Sequence, residues 1–308
     1  MIRRLKLTYL IYNIFNKARL THNVRLYKKI RIDKYYFSPI SSKDFVKIDQ
    51  SILSQNKEIK KLSDTDLFKK LPHEDQQSLL SFDKQGFSIL KGYVKKEDIE
   101  EINQDIDRLI SEKEIKFKYK NKIMFAYKKV ALLREIASER HLMELLSSLL
   151  SDNAILFQSI NFLKGSEQET HSDSIHMTTF PLGGLLGVWV ALEDIEIDNG
   201  PLHYYPDSHK LPYYLNKDYD NEGNFFLIGD KDYSEYEKMI KCKIKEFSLE
   251  KRVFFAKAGD VFIWHANLLH GGEEHLNKQK NRKSVVFHYY AENRICYHEI
   301  TQRPTLFE

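Results

Sequence analysis

The hydrophobic period of the chain changes near residue 154, and this change limits the folds that it can adopt. Before this point, apolar residues recur at helical spacing, as with Ile99, Ile102 and Ile106 in the stretch 95–111. After it, short apolar runs are separated by turn residues such as the Asn-Gly-Pro at 199–201, which is typical of strands. Helices followed by a run of strands predict an α+β domain whose strands form a jelly-roll barrel.

The same patterns give approximate bounds for the elements. We predict a helix over 95–111, two short helices within 130–150, and strands over 86–93, 155–163, 185–195, 253–256, 260–265 and 282–291. Residues 35–78 are polar and irregular, with helical hints around 63–70, and are interpreted as a linker or a wrapping arm. We therefore predict two parts, a basic N-terminal arm with an irregular or helical extension at 1–78 and a folded domain at 79–308.

Composition excludes several classes of protein. At 308 residues the chain is long enough to bury a full core. Its two cysteines, Cys242 and Cys296, cannot form a disulfide framework or a thiolate metal cluster, which suits a reducing, cytoplasmic compartment. We also expect neither a membrane-spanning helix nor a secretory signal, because no apolar run is long enough and no small-residue cleavage site follows Leu7 to Phe15.

Positive charge is concentrated at the N-terminus. Residues 1–34 carry ten Lys or Arg against one acid, Asp33, so the rest of the chain is net negative. One interpretation is a solvated, mobile arm. Another is an amphipathic helix on an anionic membrane surface or a protein partner, with Leu5, Ile11, Phe15 and Ala18 on one face. Nucleic acid is not expected as a partner, because no interleaved base-stacking pattern accompanies the charge.

A candidate metal site begins at His171-Ser172-Asp173. On a β-strand, residues two apart point to the same face, so these two side chains could bind one ion. A later histidine would complete a set of two histidines and one carboxylate, which leaves coordination positions open and suits non-haem Fe(II) oxygen chemistry. His270, before Gly271-Gly272, is favoured over His265. Arg282, twelve residues further on, could hold a co-substrate carboxylate with both arms of its guanidinium group.

The residues around these positions carry a resemblance to a known family. In order, they include the runs 187–194 (GVWVALED), 199–202 (NGPL), 206–210 (PDSHK), 258–262 (AGDVF) and 270–272 (HGG). From about residue 82 to Cys296, this series resembles the phytanoyl-CoA dioxygenase family of Fe(II)- and 2-oxoglutarate-dependent oxygenases. The resemblance implies a double-stranded β-helix, buttressed by the N-terminal helices, for the domain at 79–308.

The resemblance also implies roles for individual residues. His171, Asp173 and His270 would hold Fe(II) as the catalytic centre, and Arg282 would bind 2-oxoglutarate, with O2 as the other co-substrate. Trp189 matches a position that lines the iron pocket, while a buried core residue is the alternative, and Gln158 and Asn161 could reach the site. The family often has a hydroxyl two residues after the second histidine. Here that residue is Gly272, so Ser284, Tyr290 or water would have to replace it.

The expected reaction is hydroxylation of a small-molecule or acyl-type substrate with release of succinate and CO2. Family halogenases have Ala or Gly at the carboxylate position, so Asp173 favours oxygen insertion. Two alternatives use the same ligands. One is a cupin-like metal-binding isomerase or sensor without 2-oxoglutarate turnover, which Arg282 argues against. The other is a nucleic-acid or protein hydroxylase, for which the basic N-terminus offers weak support.

Overall fold

Helices occupy the N-terminal half and one later insertion. A computed structural model of the chain describes residues 4–53, 59–118 and 121–307, so residues 1–3 of the basic segment lie outside the described part. Short 3-10 turns connect many of the elements. The α-helices are α1 (Lys6–Ile14), α2 (Lys17–Leu20), α3 (Val24–Lys29), α4 (Asp66–Lys70), α5 (His73–Leu80), α6 (Phe82–Gln85), α7 (Lys96–Ser111), α8 (Ala131–Ala137), α9 (Arg140–Leu150) and α10 (Tyr233–Glu246).

Thirteen antiparallel strands form three sheets in the described part of the chain. They are β1 (Phe87–Leu90), β2 (Phe117–Lys118), β3 (Lys122–Met124), β4 (Ala154–Phe162), β5 (Thr178–Phe180), β6 (Leu185–Ala191), β7 (Leu202–Tyr204), β8 (Arg252–Phe254), β9 (Val261–His265), β10 (His270–Gly272), β11 (Ser284–Ala291), β12 (Ile295–His298) and β13 (Arg303–Pro304). The main sheet has the order β1-β9-β6-β11-β4-β3-β2. The smaller sheets have the orders β10-β7-β8 and β13-β12-β5.

The main sheet lies between a helical layer and the small sheet β10-β7-β8. Strand β6 shows why, because its side chains alternate between two apolar clusters. Val188 and Val190 pack on the helical side, against the buried faces of α5, α7, α8 and α9. Trp189 faces the other way and packs with Leu202 and Phe254 of the small sheet. Strands buried on both faces explain why the apolar runs of the sequence show little polar alternation.

The first three helices are docked on the folded domain. Leu26, Tyr27 and Ile30 are buried against Phe180 of β5 and Ile295 of β12. The side chain of Asn23 adds two hydrogen bonds to the backbone of Cys296, at 2.8 and 2.9 Å. The interpretation of this segment as a solvated, mobile arm is therefore wrong for α3. The physical reason is that Leu26, Tyr27 and Ile30 are buried against the third sheet, whereas the apolar side chains of α1 are largely exposed.

The fold class is confirmed, and most predicted elements lie within one to four residues of their expected bounds. The helix at 95–111 and the paired helices within 130–150 correspond to α7, α8 and α9. The predicted strand over 185–195 is too long, because β6 ends at Ala191. In the segment 35–78, α4 lies within the range 63–70 where helix was expected, and most of α5 follows it. Within the described ranges, none of the helices is both long and apolar enough to cross a membrane.

Candidate active site

Three side chains meet at one end of the space between the two facing sheets. His171 and His270 form an isolated β-bridge, with backbone N–H···O distances of 2.9 and 3.0 Å. Asp173 begins a 3-10 turn directly after His171, and the hydroxyl group of Ser172 caps this turn. All three side chains are buried. The bridge therefore brings together ligands that are about 100 residues apart in the sequence.

The ligand atoms of these three residues are close enough to share one ion. His171 Nε2 lies 3.8 Å from Asp173 Oδ1, and His270 Nε2 lies 3.9 Å from Asp173 Oδ2. One ligand atom from each residue falls within 4.8 Å of the others. Two imidazole nitrogens and a carboxylate oxygen at this spacing fit a divalent transition metal with open coordination positions.

The hydrogen bonds of both histidines select the tautomer that a metal requires. His171 Nδ1 donates to the carbonyl of Glu169 at 2.8 Å, and His270 Nδ1 donates to the carbonyl of Leu268 at 3.0 Å. Each Nε2 therefore carries a lone pair that points toward Asp173. Burial, followed by the nearby His270, lowers the pKa of His171 to about 3, so this ring is neutral at pH 7. The side chain of Gln168 contacts His171 Nε2 at 3.1 Å and would have to turn away when an ion binds.

The carboxylate of Asp173 is oriented by groups outside the triad. Trp264 Nε1 donates to Asp173 Oδ2 at 2.8 Å. His288 Nε2 lies 3.6 Å from the same oxygen, while Gln158 donates to the other ring nitrogen of His288 at 3.2 Å. Burial acts to raise the pKa of Asp173, but His270, His288 and His171 outweigh it and hold this pKa well below its usual range. Asp173 is therefore an anionic ligand at neutral pH.

The structure corrects the local geometry expected for this site. His171 and Asp173 do not lie on one continuous strand, because the chain leaves the bridge at Ser172 and turns. His270 is the first residue of β10. His265 lies away from the triad at the end of β9, where its ring contacts those of His209 and Tyr213. The structure thus brings together the three predicted residues, although through a bridge and a turn.

Arg282 lies on the same cavity as the triad and is 3% exposed. Its Nη1 donates to Ser284 Oγ at 3.1 Å, and its guanidinium carbon lies 5.1 Å from the centre of the Trp189 ring. Among the described residues, its Nε has no hydrogen-bond partner and no carboxylate forms an ion pair with it. Burial, partly offset by Glu193, lowers the pKa of Arg282 to about 10, so the group remains charged at neutral pH. A buried guanidinium in this state fits an anionic ligand.

The other predicted residues divide between the two faces of the main sheet. Trp189, Gln158 and Ser284 lie on the triad side, where Trp189 and Gln158 line the cavity and Ser284 orients Arg282. Asn161 does not line the cavity, so its expected reach to the site is wrong. Asn161 pairs with Val285, whose side chain packs in the helical layer. Residues directly opposite each other on neighbouring strands point to the same face, so Asn161 also faces the helices.

Sequence reasoning missed Trp264 and His288 as partners of Asp173. His288 could have been found, because it shares the Arg282 face of the strand by period-two alternation. The position of the Trp264 ring depends on Gly187 of the neighbouring strand. A Cβ atom at Gly187 would lie 2.3 Å from the indole ring, so glycine leaves the space in which Trp264 reaches Asp173. No local pattern in the sequence indicates that contact.

Comparison with known proteins matches the segment of the chain that contains the triad and Arg282. A family model described as Phytanoyl-CoA dioxygenase matches residues 82–284, about two thirds of the chain. The chain is 34% identical, over 51% of its own length and 52% of the relative's, to the rat (Rattus norvegicus) protein named phytanoyl-CoA dioxygenase domain-containing protein 1. Matches to curated relatives span between 20% and 52% of those relatives' lengths.

Solved structures show the same fold at low sequence identity. The non-heme alpha ketoglutarate dependent carbocyclase SnoK from nogalamycin biosynthesis superposes with a TM-score of 0.57 at 15% identity, covering 73% of this chain and 86% of that one. EctD from S. alaskensis, crystallised with 2-oxoglutarate and 5-hydroxyectoine, superposes with a TM-score of 0.57 at 18% identity, covering 76% and 81%. These likenesses support the jelly-roll architecture.

Proposed function

The chain belongs to the phytanoyl-CoA dioxygenase family, and from that premise we propose that it is an Fe(II)- and 2-oxoglutarate-dependent dioxygenase. Its reaction would hydroxylate a small-molecule substrate. The observation that carries this proposal is the position of Arg282, a buried guanidinium without a carboxylate partner among the described residues, on the same cavity as His171, Asp173 and His270. A metal-binding isomerase or sensor has no need for this second, cationic subsite.

In this proposal the triad holds Fe(II) through two neutral imidazoles and one carboxylate. Bound Fe(II) would supply the oxidising chemistry, in which O2 and 2-oxoglutarate are consumed, succinate and CO2 are released, and a substrate C–H bond becomes C–OH. Arg282 would bind the far carboxylate of 2-oxoglutarate, and Ser284 would orient Arg282. Ser284 would act on the carboxylate only through Arg282, because it is not among the residues that line the cavity. The aromatic walls, including Trp189, would exclude water from the charge pair.

Metal dependence is tested with variants of two triad residues and with a histidine outside the triad as the control. Iron stoichiometry after anaerobic loading should be about one per chain in the wild-type protein and in the control His265→Ala, whose ring lies outside the triad. His270→Ala and Asp173→Ala should lose most of the iron. Succinate release should require 2-oxoglutarate, O2 and iron together. Iron binding without 2-oxoglutarate binding would favour the isomerase or sensor instead.

We further propose that the N-terminal helix contacts an anionic membrane surface. Leu7, Ile11 and Ile14 recur at helical spacing on α1 and are exposed, and Phe15 directly after the helix is 83% exposed. Leu5 is not part of this face, because it forms a bridge with Leu227. That bridge places Phe226 and the 86% exposed Phe225 beside the start of α1. Exposed apolar residues within a strongly basic segment are typical of peripheral binding to anionic lipid.

A further inference from the structure

Gln168 reaches the triad from the segment that precedes His171. Its side-chain amide nitrogen lies 3.1 Å from His171 Nε2. Because His171 Nδ1 donates to the carbonyl of Glu169, Nε2 carries the lone pair of the neutral ring, and the amide N–H of Gln168 donates to it. The amide of Gln168 therefore lies on the side of His171 at which an ion would bind.

The length of this contact matches the spacing of two ligands on one ion. Neighbouring ligands of an octahedral divalent ion, with bonds of about 2.1 Å, lie ~3.0 Å apart. The amide nitrogen of Gln168 is closer to His171 Nε2, at 3.1 Å, than Asp173 Oδ1 is, at 3.8 Å. An amide nitrogen has no lone pair to offer a metal, but a half-turn of the amide group exchanges it for the oxygen. After that turn, Gln168 presents an oxygen ligand.

The main chain of Gln168 is held against β10. Its carbonyl accepts a hydrogen bond from the backbone N–H of Gly272 at 3.0 Å, which ties it to the strand that begins with His270. A Cβ atom at Gly271 would lie 2.6 Å from this carbonyl oxygen, and one at Gly272 would lie 2.7 Å from Ser166 Oγ. The two glycines after the second histidine therefore allow the Gln168 segment to approach the metal site closely.

The side chain of Gln168 lies between two cavities and has room to turn. One is the triad cavity, of about 570 Å³, which reaches outward to Tyr12 and Arg303. The other has a volume of about 580 Å³, and its lining includes Gln168 and His203. The amide oxygen of Gln168 accepts a hydrogen bond from Lys122 Nζ at 3.5 Å, a length at which such a bond is weak. This contact therefore offers little resistance to a turn of the amide.

We propose that Gln168 is a fourth, exchangeable protein ligand of the metal. Its amide oxygen would bind beside His171 Nε2 while 2-oxoglutarate is absent, in one of the three positions that the triad leaves open on an octahedral ion. Two-point binding of 2-oxoglutarate and binding of O2 together need all three positions, so Gln168 then leaves, and the second cavity receives its side chain. This inference rests on the proposed function, because that function supplies the metal and the co-substrate.

The exchange predicts that Gln168 and 2-oxoglutarate weaken each other's binding. Two groups that compete for one position are coupled unfavourably, and the coupling is the same in both directions. The metal-loaded Gln168→Ala variant should therefore bind 2-oxoglutarate roughly two- to tenfold more tightly than the wild-type protein, the range expected for loss of one neutral contact. Gln168→Glu should bind it more weakly than the wild type, because an anionic oxygen is harder to displace from a cation.

Proton relaxation of water in the Mn(II)-loaded full chain tests the ligand itself. Mn(II) accepts oxygen ligands, and each water molecule bound to it speeds the relaxation of the solvent protons. Without 2-oxoglutarate, Gln168→Ala should show a higher relaxation rate per bound ion than the wild type, because water replaces the amide, while Gln168→Glu should stay near the wild type. Saturating 2-oxoglutarate should remove the difference between Gln168→Ala and the wild type. The control Gln279→Ala, at an exposed glutamine, should match the wild type throughout.

Calorimetric titration of Mn(II) and of 2-oxoglutarate into the same proteins gives the affinities. Loss of Mn(II) from Gln168→Ala but not from Gln168→Glu would also support the ligand. An unchanged relaxation rate in Gln168→Ala would overturn the inference, and tighter Mn(II) binding in that variant would then show that Gln168 only competes with the ion for His171. A wild-type chain that binds Mn(II) but not 2-oxoglutarate would count against the proposed function, while the relaxation rates without 2-oxoglutarate would still decide the role of Gln168. Failure to bind Mn(II) would count against both.

Discussion

The indole nitrogen of Trp264 donates a hydrogen bond to Asp173 Oδ2 at 2.8 Å, across 91 residues of sequence. This contact orients the triad's carboxylate. Groups that orient a metal ligand in this way often change metal affinity by ~10- to ~100-fold when they are removed. Trp264 is therefore a positioning residue for the metal centre.

We predict that Trp264→Phe weakens Fe(II) binding by about tenfold or more, because Asp173 loses its donor while an aromatic ring is retained. Gly187→Ala should act in the same direction, since the added methyl group would displace the indole ring. Anaerobic iron titration measures both. Tyr204→Phe is the control, because it removes a polar atom from the same apolar cluster without touching Asp173. Wild-type iron affinity in Trp264→Phe would contradict this role.

Arg282 should determine affinity for 2-oxoglutarate and not for iron. Removing one partner of a desolvated charge pair costs roughly 2–5 kcal/mol, so Arg282→Gln should weaken 2-oxoglutarate binding by ~30- to ~5,000-fold. Arg282→Lys should recover only part of this loss, because lysine lacks the planar fork. Ser284→Ala should cost at most about tenfold, as expected for one neutral hydrogen bond. Calorimetric titration of the iron-loaded variants gives these values, and unchanged affinity in Arg282→Gln would place the carboxylate elsewhere.

Membrane contact should depend on the exposed apolar residues near α1. Phe15→Ser and Phe226→Ser should each weaken sedimentation with vesicles that contain phosphatidylserine, because each removes apolar surface available for insertion. Ile197→Ser is the control, since Ile197 is 71% exposed but belongs to the turn between β6 and β7. Added salt should weaken binding as well. Equal sedimentation of all variants, or wild-type binding to neutral vesicles alone, would rule out the membrane proposal.

Acid should loosen the contact between His22 and Phe307. The two rings stack with centroids 4.0 Å apart, and burial lowers the pKa of His22 from 6.5 to about 4. The unfolded chain therefore takes up a proton before the folded chain does, and the stability contributed by the neutral ring is lost as the pH falls from 6.5 through about 4. His22→Phe keeps the stack without the titration. Urea unfolding of the metal-free proteins across this range should show a smaller loss of unfolding free energy in the variant, and an equal loss would exclude His22 as a cause.

The sequence predicted best what depends on local period. The apolar spacing of 95–111 and the runs behind β4, β6 and β11 indicate their elements because one face of each must be buried. The predicted family and fold class are also confirmed, and the motifs that indicated the family lie on or next to these strands. At the site, period-two alternation places Ser284, Val286 and His288 on one face of β11, opposite to Val285 and Phe287 in the helical layer.

What failed depends on contacts between distant segments. The docking of α3 could not be predicted from local sequence, because Tyr27 and Ile30 pack on a sheet formed more than 100 residues later. Asn161 was wrongly predicted to reach the site, because the sequence does not show the strand register that places it opposite Val285. Helix α10 was missed because its Lys- and Glu-rich sequence buries little beyond Tyr236 and Ile240. The errors at α3 and Asn161 concern docking and register, which local sequence does not encode.

The composition of the cavity wall has a consequence for how specificity could diverge in this family. The iron ligands and Arg282 all lie within residues 82–284, whereas Tyr12, Arg19 and Arg303 lie outside that range. In the proposed function, the residues that would hold iron and 2-oxoglutarate and this outer part of the cavity wall are therefore encoded in different stretches of the chain. Exchange of the two terminal stretches between relatives could then redirect oxidation to new molecules while the reactive centre stays the same. A library confined to those stretches would be a compact way to search for new substrates.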